Sequence, residues 1–384
     1  MRDWDAFLKN SLSDLESQGL LRQLRNVERV QGTQITIGGR VLHNFSSNDY
    51  LGLAGHPALA EAMAKAATDW GVGATASRLI CGTTAEHSAL EEELAAAKGT
   101  EAALVFSTGM AAATGTIPAL MSKDDVIILD KLAHACLIDG ARMSGAILRV
   151  FPHNDLEKLE SHLKWARTTH PHAKIMILTE SVFSMDGDLA PLEQLIHLKE
   201  LYGAILFLDE AHAVGVRGRG AQGLAGELGL RERIEIQMGT LGKALGVSGG
   251  YIAGSRTLID FLINRARSFI FSTAPSPAIA AACRAALCIV KSEEGNALRF
   301  RLLKNLHLLA EGLKIPIPQS AIVPLILGSE ERALANAARL LDAGFFVPAI
   351  RYPTVPRNTA RLRLTINAAH RSDQIQELAE AIIL

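Results

Sequence analysis

The sequence predicts an α/β chain built on a mostly parallel central sheet, with a smaller α/β domain towards the C-terminus. Three observations carry that expectation. Short apolar runs at 102–106, 126–129, 174–179, 204–208, 234–238 and 249–253 read as strands, and most precede a loop and a helical stretch. Such alternation places helices on both faces of a parallel sheet. Second, each polar cluster of interest follows one of these runs: Ser107-Thr108-Gly109, His134, Ser184, Asp209 with His212, and Thr240 with Lys243. In open α/β sheets, ligands bind beyond the carboxyl ends of the strands. Third, Lys314-Ile315-Pro316-Ile317-Pro318 marks a break, after which strands 321–327, 345–350 and 360–366 and helices 330–343 and 372–383 predict a small antiparallel α/β domain.

The N-terminal elements follow from periodicity. Residues 3–25 read as an amphipathic helix with Trp4, Leu8, Leu12, Leu15 and Leu20 on one side. Gln34-Ile35-Thr36-Ile37 and Arg40-Val41-Leu42 straddle Gly38-Gly39, a hairpin signal. An alanine-rich helical run covers 277–291. The expected domains are 1–45 (helix and hairpin), 46–280 (large) and 281–384 (small).

Composition narrows the class. The chain has 384 residues, 48% hydrophobic and 21% charged, which suits a globular protein with one large core and a smaller domain. A formal net charge of −1 gives no nucleic-acid signal. Cysteines 81, 136, 283 and 288 form no CxxC pair, which fits a reducing cytoplasm and offers no zinc site. His170 and His172, around Pro171, read as a solvated loop rather than a metal site. The opening Met1-Arg2-Asp3-Trp4-Asp5 is acidic and lacks the apolar core of a signal peptide. Residues 102–122 are uncharged and long enough for a bilayer, but Ser107, Thr108, Gly109, Gly115 and Pro118 make a strand, loop and helix the better reading, so no membrane partner is expected.

The chemistry centres on Lys243. It lies in Gly239-Thr240-Leu241-Gly242-Lys243-Ala244-Leu245-Gly246, and between Arg233 and Arg256 the only other charge is Glu235. Alone, it reads as a surface lysine in a glycine-rich loop. Asp209 and His212, in Asp209-Glu210-Ala211-His212 after the run 204–208, change that reading. A desolvated lysine amine attacks an aldehyde, and an aspartate beside a pyridine nitrogen keeps that ring cationic; together these are the needs of a pyridoxal phosphate (PLP) site. Asp-Glu-x-His also occurs at metal sites and in ATPases, yet no G-x-x-x-x-G-K-[ST] run is present. The helix beginning near Ser107-Thr108-Gly109-Met110 offers N–H groups for a phosphate, or is an ordinary strand-to-helix turn. His134 could stack on a flat ring or be a satisfied histidine; Ser184 could bind a cofactor oxygen or belong to the polar turn Met185-Asp186-Gly187. Arg361 and Arg363 share one face of the strand 360–366, and Arg351 lies nearby. One of them could grip a carboxylate in bidentate fashion, or the face is simply solvated.

Taken together, Asn44 through Leu53, Thr179 through Asp188, Asp209 through His212, and Thr240 through Lys243 resemble the α-oxoamine synthases, PLP-dependent transferases of fold type I. The likeness covers nearly the whole chain. It implies that Lys243 is the Schiff-base lysine, that Asp209 pairs with the pyridine nitrogen, that His134 stacks on the ring, and that His212 contacts its phenolic oxygen. It also implies that Gly109 and Met110 line the phosphate loop, that Ser184 and Thr240 add cofactor contacts, and that Ser272 and Thr273 approach the phosphate of the other subunit in a homodimer with shared active sites. Arg363 then binds an amino-acid carboxylate, and Arg22, Asn48 and Thr354 contact substrate. Met110 departs from a common aromatic, and Gly71-Val72-Gly73-Ala74-Thr75-Ala76-Ser77-Arg78 departs from a more glycine-rich loop. The implied reaction is a decarboxylative condensation of an amino acid with an acyl thioester. Ser184 through Leu192, Pro353-Thr354-Val355-Pro356 and Thr359 through Leu364 point within the family to L-alanine and a pimeloyl thioester, donated by CoA or a carrier protein. The alternatives are a glycine/acetyl-CoA acyltransferase, a fold-type-I aminotransferase, and a non-catalytic PLP-binding protein.

Overall fold

Three short strands open the sheet structure: β1 (Arg29–Gln31), β2 (Gln34–Ile37) and β3 (Arg40–Asn44). The computed structural model describes residues 3–383; Met1 and Arg2 of the acidic opening motif, and Leu384, lie outside the described residues. Gly38 and Gly39, with φ of 57° and 73°, make the two-residue turn that sets Ile37 opposite Arg40. The preceding helix is shorter than expected, Trp4–Ser17 rather than 3–25. It stops because Gly19 takes φ 65° and the Leu20 N–H turns back to the Leu15 carbonyl at 2.8 Å, a left-handed C-terminal cap. Of the apolar side read from the sequence, Leu20 is buried while Trp4, Leu8, Leu12 and Leu15 remain exposed.

The seven-stranded sheet contains β4 (Ala102–Phe106), β5 (Val126–Asp130), β6 (Ile147–Phe151), β7 (Ile175–Glu180), β8 (Ile205–Asp209), β9 (Ile236–Thr240) and β10 (Gly250–Gly254), in the order β4-β10-β9-β8-β7-β5-β6. The pairs β6–β5, β5–β7, β7–β8 and β8–β9 are parallel; β10 is antiparallel to both neighbours. Both faces are covered, so alternate residues of one strand enter different cores. Val126 and Ile128 pack with Leu159, Leu163, Leu195 and Ile196, whereas Ile127 and Leu129 pack with Ile117, Leu137 and Leu262. Two-sided burial is why these strands read as continuous apolar runs rather than alternating ones. The edge strand β6 was not expected: Arg149 and Val150 are exposed, and its sequence has no unbroken apolar run.

β11 (Ile322–Gly328), β12 (Phe345–Phe346), β13 (Ala349–Ile350) and β14 (Ala360–Thr365) belong to the C-terminal region. The expected single strand 345–350 is two strands in different sheets. β12 pairs with β3, and β13 pairs with β14, which also pairs with β11. Pro348 lies between them and has no N–H for a ladder. The chain divides into two compact units, one holding Asn48–Ser184 with Asp188–Arg301 and the other the rest of the described residues. The expected division at 280/281 falls inside the helix Pro277–Lys291, and the N-terminal hairpin shares a sheet with β12 rather than standing alone. Residues 102–122 are β4, a turn and the helix Gly109–Leu120; among the described residues, no helix is long and apolar enough to cross a membrane.

Two buried histidines lock loops in the neutral state. His87 accepts the Thr84 N–H at Nδ1 and donates from Nε2 to the Pro275 carbonyl at 2.9 Å. His370 accepts the Asn367 N–H at Nδ1 and donates from Nε2 to the Asn44 carbonyl at 3.0 Å. Burial lowers both to about 4, helped at His87 by the Arg78 charge and at His370 by His43. Their folded values lie below the unfolded value, so their contribution is complete above pH ~6.5 and is lost as pH falls towards 4. Denaturant unfolding between pH 7 and 4 is expected to show each contributing a slope of up to ~1.4 kcal/mol per pH unit. His87→Gln and His370→Gln should each flatten that slope.

Candidate active site

Five strand ends supply the candidate residues. β4 leads to Thr108 and Gly109, β5 to His134, β7 to Ser184, β8 to Asp209 and His212, and β9 to Thr240 and Lys243. Parallel direction brings such ends to one edge of a sheet.

The Lys243 amine lies 2.8 Å from His212 Nε2. The other ring nitrogen, Nδ1, is 2.5 Å from the Tyr50 hydroxyl, which donates to Asn48 Oδ1 at 3.2 Å. One imidazole tautomer satisfies this chain: Nδ1–H donates to Tyr50, and Nε2 accepts from the lysine. Lys243, His212 and Asn48 thus belong to one hydrogen-bonded row. Tyr50, fully buried within it, was not singled out from the sequence. Its only signal was its place in the Asn48-Asp49-Tyr50-Leu51 segment.

Asp209 and Glu180 are register partners at the ends of β8 and β7, and both are buried. Burial pushes the Asp209 carboxyl up, against the pull of Lys243, the Ala211 N–H and His134. Its Oδ1 accepts the Ala211 N–H at 2.9 Å. Burial pushes Glu180 well above the usual carboxylate range, reinforced by the negative charge of Asp209. Glu180 accepts the backbone N–H of Ser184 at 3.1 Å and that of His134, so it anchors two predicted residues at once. Its Oε1 is buried without a hydrogen-bond partner. Glu180 was not singled out from the sequence, although it closes an apolar strand as Asp209 does. His134 caps the helix Ala135–Ser144, accepting the Cys136 N–H at Nδ1. Burial lowers its pKa, opposed by the charge of Asp209, so the ring is neutral.

The start of the helix Gly109–Leu120 is built for close approach. Thr108 caps it by accepting the Ala111 N–H at 3.0 Å, and the first turn's intrahelical bond begins at Ala112, leaving the Gly109 and Met110 N–H groups ahead of the ladder. A Cβ on Gly109 would lie 2.7 Å from Thr240 Cγ2, and one on Gly250 would lie 2.6 Å from Gly109 Cα. Met110 is exposed. Thr240 donates its hydroxyl to the Ala211 carbonyl at 3.4 Å. Ser272 is half-buried and Thr273 exposed, and Thr273 bridges to Ser77.

The other predicted residues occupy the second unit. The Arg22 guanidinium donates to Thr354 Oγ1 at 3.1 Å, pairing two residues 332 positions apart. Arg351 donates to the Gly19 carbonyl. Arg361 and Arg363 do share a strand, but its face is not solvated: both arginines are buried. Arg361 is committed to the turn, donating to Asp186 Oδ1 at 2.7 Å and to the Met185 carbonyl at 3.1 Å. Arg363 donates to Thr365 Oγ1 at 3.1 Å.

The residues of the first unit fit PLP. An amine beside an imidazole suits an aldehyde and its neighbouring oxygen. A buried carboxylate with a raised pKa suits a cationic ring nitrogen. A helix start with no room for a side chain at Gly109 suits a phosphate.

Comparison with known proteins agrees. The model of the aminotransferase class I and II family matches residues 40–382. A protein of Geobacter sulfurreducens named 8-amino-7-oxononanoate synthase is 46% identical over 380 residues, covering 98% of this chain and 96% of that one. A Maricaulis maris protein of the same name is 47% identical over 378 residues, covering 98% and 95%. Among solved structures, serine palmitoyltransferase from S. paucimobilis with a bound PLP–myriocin adduct superposes with a TM-score of 0.93 at 29% identity, covering 99% of this chain and 98% of that one. The 8-amino-7-oxononanoate synthase of Francisella tularensis gives 0.75 at 29% identity, covering 89% and 96%.

Behind Asp209, the Glu210 carboxylate is wholly buried against Lys98, whose amine also donates to the Gln222 carbonyl at 2.8 Å. Glu210 Oε1 accepts the Ala225 N–H at 3.0 Å. Replacing Lys98 by Met leaves a buried, unpaired carboxylate and is expected to cost ~3–5 kcal/mol in chemical denaturation. The double change Lys98→Met with Glu210→Leu should recover part of that loss.

Proposed function

We infer, because the chain belongs to the aminotransferase class I and II family and within it to the α-oxoamine synthases, that it condenses L-alanine with a pimeloyl thioester. The products are 8-amino-7-oxononanoate, CO2 and the free thiol, a step of biotin synthesis. The observation that carries this reading is the near full-length likeness, at 46% and 47% identity, to curated synthases of that name. Pyridoxal 5′-phosphate, the cofactor, supplies an electron sink for negative charge at the alanine Cα, both on deprotonation and on loss of CO2.

The chain's own groups do the rest. Lys243 holds the cofactor and then takes and returns the proton at Cα; its amine stands against His212 Nε2, which Tyr50 orients from the other side. Asp209 keeps the ring nitrogen protonated. His134, a neutral flat ring, stacks on the cofactor, and Ser184 and Thr240 bond its oxygens. The Gly109 and Met110 N–H groups hold the phosphate, joined by Ser272 and Thr273 from the other chain of a homodimer. Arg363 binds the alanine carboxylate. Asn48, at the opposite end of the Tyr50–His212–Lys243 row from the lysine, contacts substrate. Arg22 and Thr354, already bonded to each other, suit the distal carboxylate of a pimeloyl chain. The four free cysteines fit a cytoplasmic enzyme.

A matrix of amino acids against acyl donors tests the reaction. Thiol release should be fastest with alanine and pimeloyl-CoA or its carrier-protein ester. Faster release with glycine and acetyl-CoA would replace this reading with the acetyltransferase. Lys243→Ala should lower product formation by at least ~10²–10⁴-fold, the range of a lost proton-transfer group. Undiminished turnover in that variant would remove Lys243 from the chemistry.

A further inference from the structure

We propose that His153 is a positioning residue for the cofactor site, clasping Asp130 and Asp188 so as to fix the loop that carries Ser184. The proposal rests on the reading of Ser184 as a cofactor contact. Each ring nitrogen of His153 faces a carboxylate: Nδ1 lies 3.1 Å from Asp130 Oδ1, and Nε2 lies 2.7 Å from Asp188 Oδ2. Only the doubly protonated ring donates to both. None of the three groups has a part in the chemistry assigned above, yet they sit at two informative places.

Asp130 closes β5 and is fully buried. Its Oδ1 also accepts the Leu132 N–H at 2.8 Å, and its carbonyl accepts the Ala133 N–H at 3.1 Å, which shapes the turn into His134. Asp188 lies at the neck of the loop that carries Ser184. The Phe183 N–H donates to the Asp188 carbonyl at 3.0 Å, and Val182 bridges to Leu189. Ser184 therefore lies inside a loop whose neck is held by the histidine. Asn154 completes the clasp. Its backbone N–H donates to Asp130 Oδ2 at 3.0 Å, while its side-chain amide donates to Asp188 Oδ2 and to the Leu189 carbonyl, each at 3.2 Å. It does so at φ 55°, a left-handed conformation that asparagine tolerates better than most residues. The Phe183 ring meets the imidazole edge-on at 4.3 Å. Burial alone would lower the histidine; the hydrogen bonds and charges of Asp130 and Asp188 outweigh it and raise it to about 10. With its clasp charged across the physiological range, the loop keeps one geometry.

The test uses the full chain in four forms: wild type, His153→Gln, Ser184→Ala, and the double variant. PLP affinity of the apoprotein is read by absorbance titration, and the histidine ring resonances are followed by NMR from pH 6 to 11. His153 should remain protonated at pH 8, with a midpoint near 10. His153→Gln should weaken PLP binding ~10-fold, the scale seen when a partner that holds a ligating group is removed. That loss should vanish in the Ser184→Ala background, the non-additivity of two residues acting through one another. Asp188→Asn keeps the Asp130 pair and should show the same Ser184-dependent loss; it stands in if His153→Gln does not fold by circular dichroism. Equal losses in both backgrounds, no loss in either, or a ring neutral at pH 8 would each overturn the proposal. A wild type that binds PLP yet makes no amino ketone from alanine and pimeloyl-CoA would instead sink the reaction and leave the coupling standing.

Discussion

Two carboxyl groups, Asp209 and Glu180, lie side by side and buried at the ends of adjacent parallel strands. Like charges in such a place repel, and each loses the solvation of water. Much of the surrounding structure answers that cost. Backbone N–H groups of Ala211, Ser184 and His134 point at the two carboxyls, and the Lys243 charge pulls Asp209 back towards ionisation. Glu180 takes the larger share of the burden, with one oxygen that has no hydrogen-bond partner. The pair has separated tendencies: the more strongly raised carboxyl, Glu180, organises two loops, and Asp209 lies within the pull of the Lys243 charge.

Neighbouring residues on the chain divide their duties by direction. Asp209 faces the candidate site, while Glu210 enters an ion pair with Lys98 and caps the turn at Ala225. The same division appears on β14, where Arg361 holds the Met185–Asp186 turn and the next residue on that face, Arg363, bonds Thr365. In both places two nearby residues of one motif take different partners.

Much of the sheet was legible because two-sided burial produces runs such as Val126 to Leu129 and Leu206 to Leu208 that no exposed segment would carry. Elements lacking that signature were missed or misread. β6 lies at an edge with Arg149 exposed, and Pro348 splits what looked like one strand into partners of two sheets. The helix end at Ser17 depended on a left-handed glycine, a choice that apolar periodicity does not encode.

The residue types at the candidate site were determined by the sequence alone: a lysine among glycines, an aspartate and a histidine three apart after an apolar run, a small residue at a helix start. These are local patterns, and local patterns survive in one dimension. The tertiary structure decided which groups share an environment. It set Tyr50 against His212 across 162 positions, Glu180 in register with Asp209, Arg22 on Thr354, and His153 between two aspartates. Burial, hydrogen-bond geometry and the resulting shifts in ionisation arise from proximity between distant segments, and proximity exists only once the chain has folded.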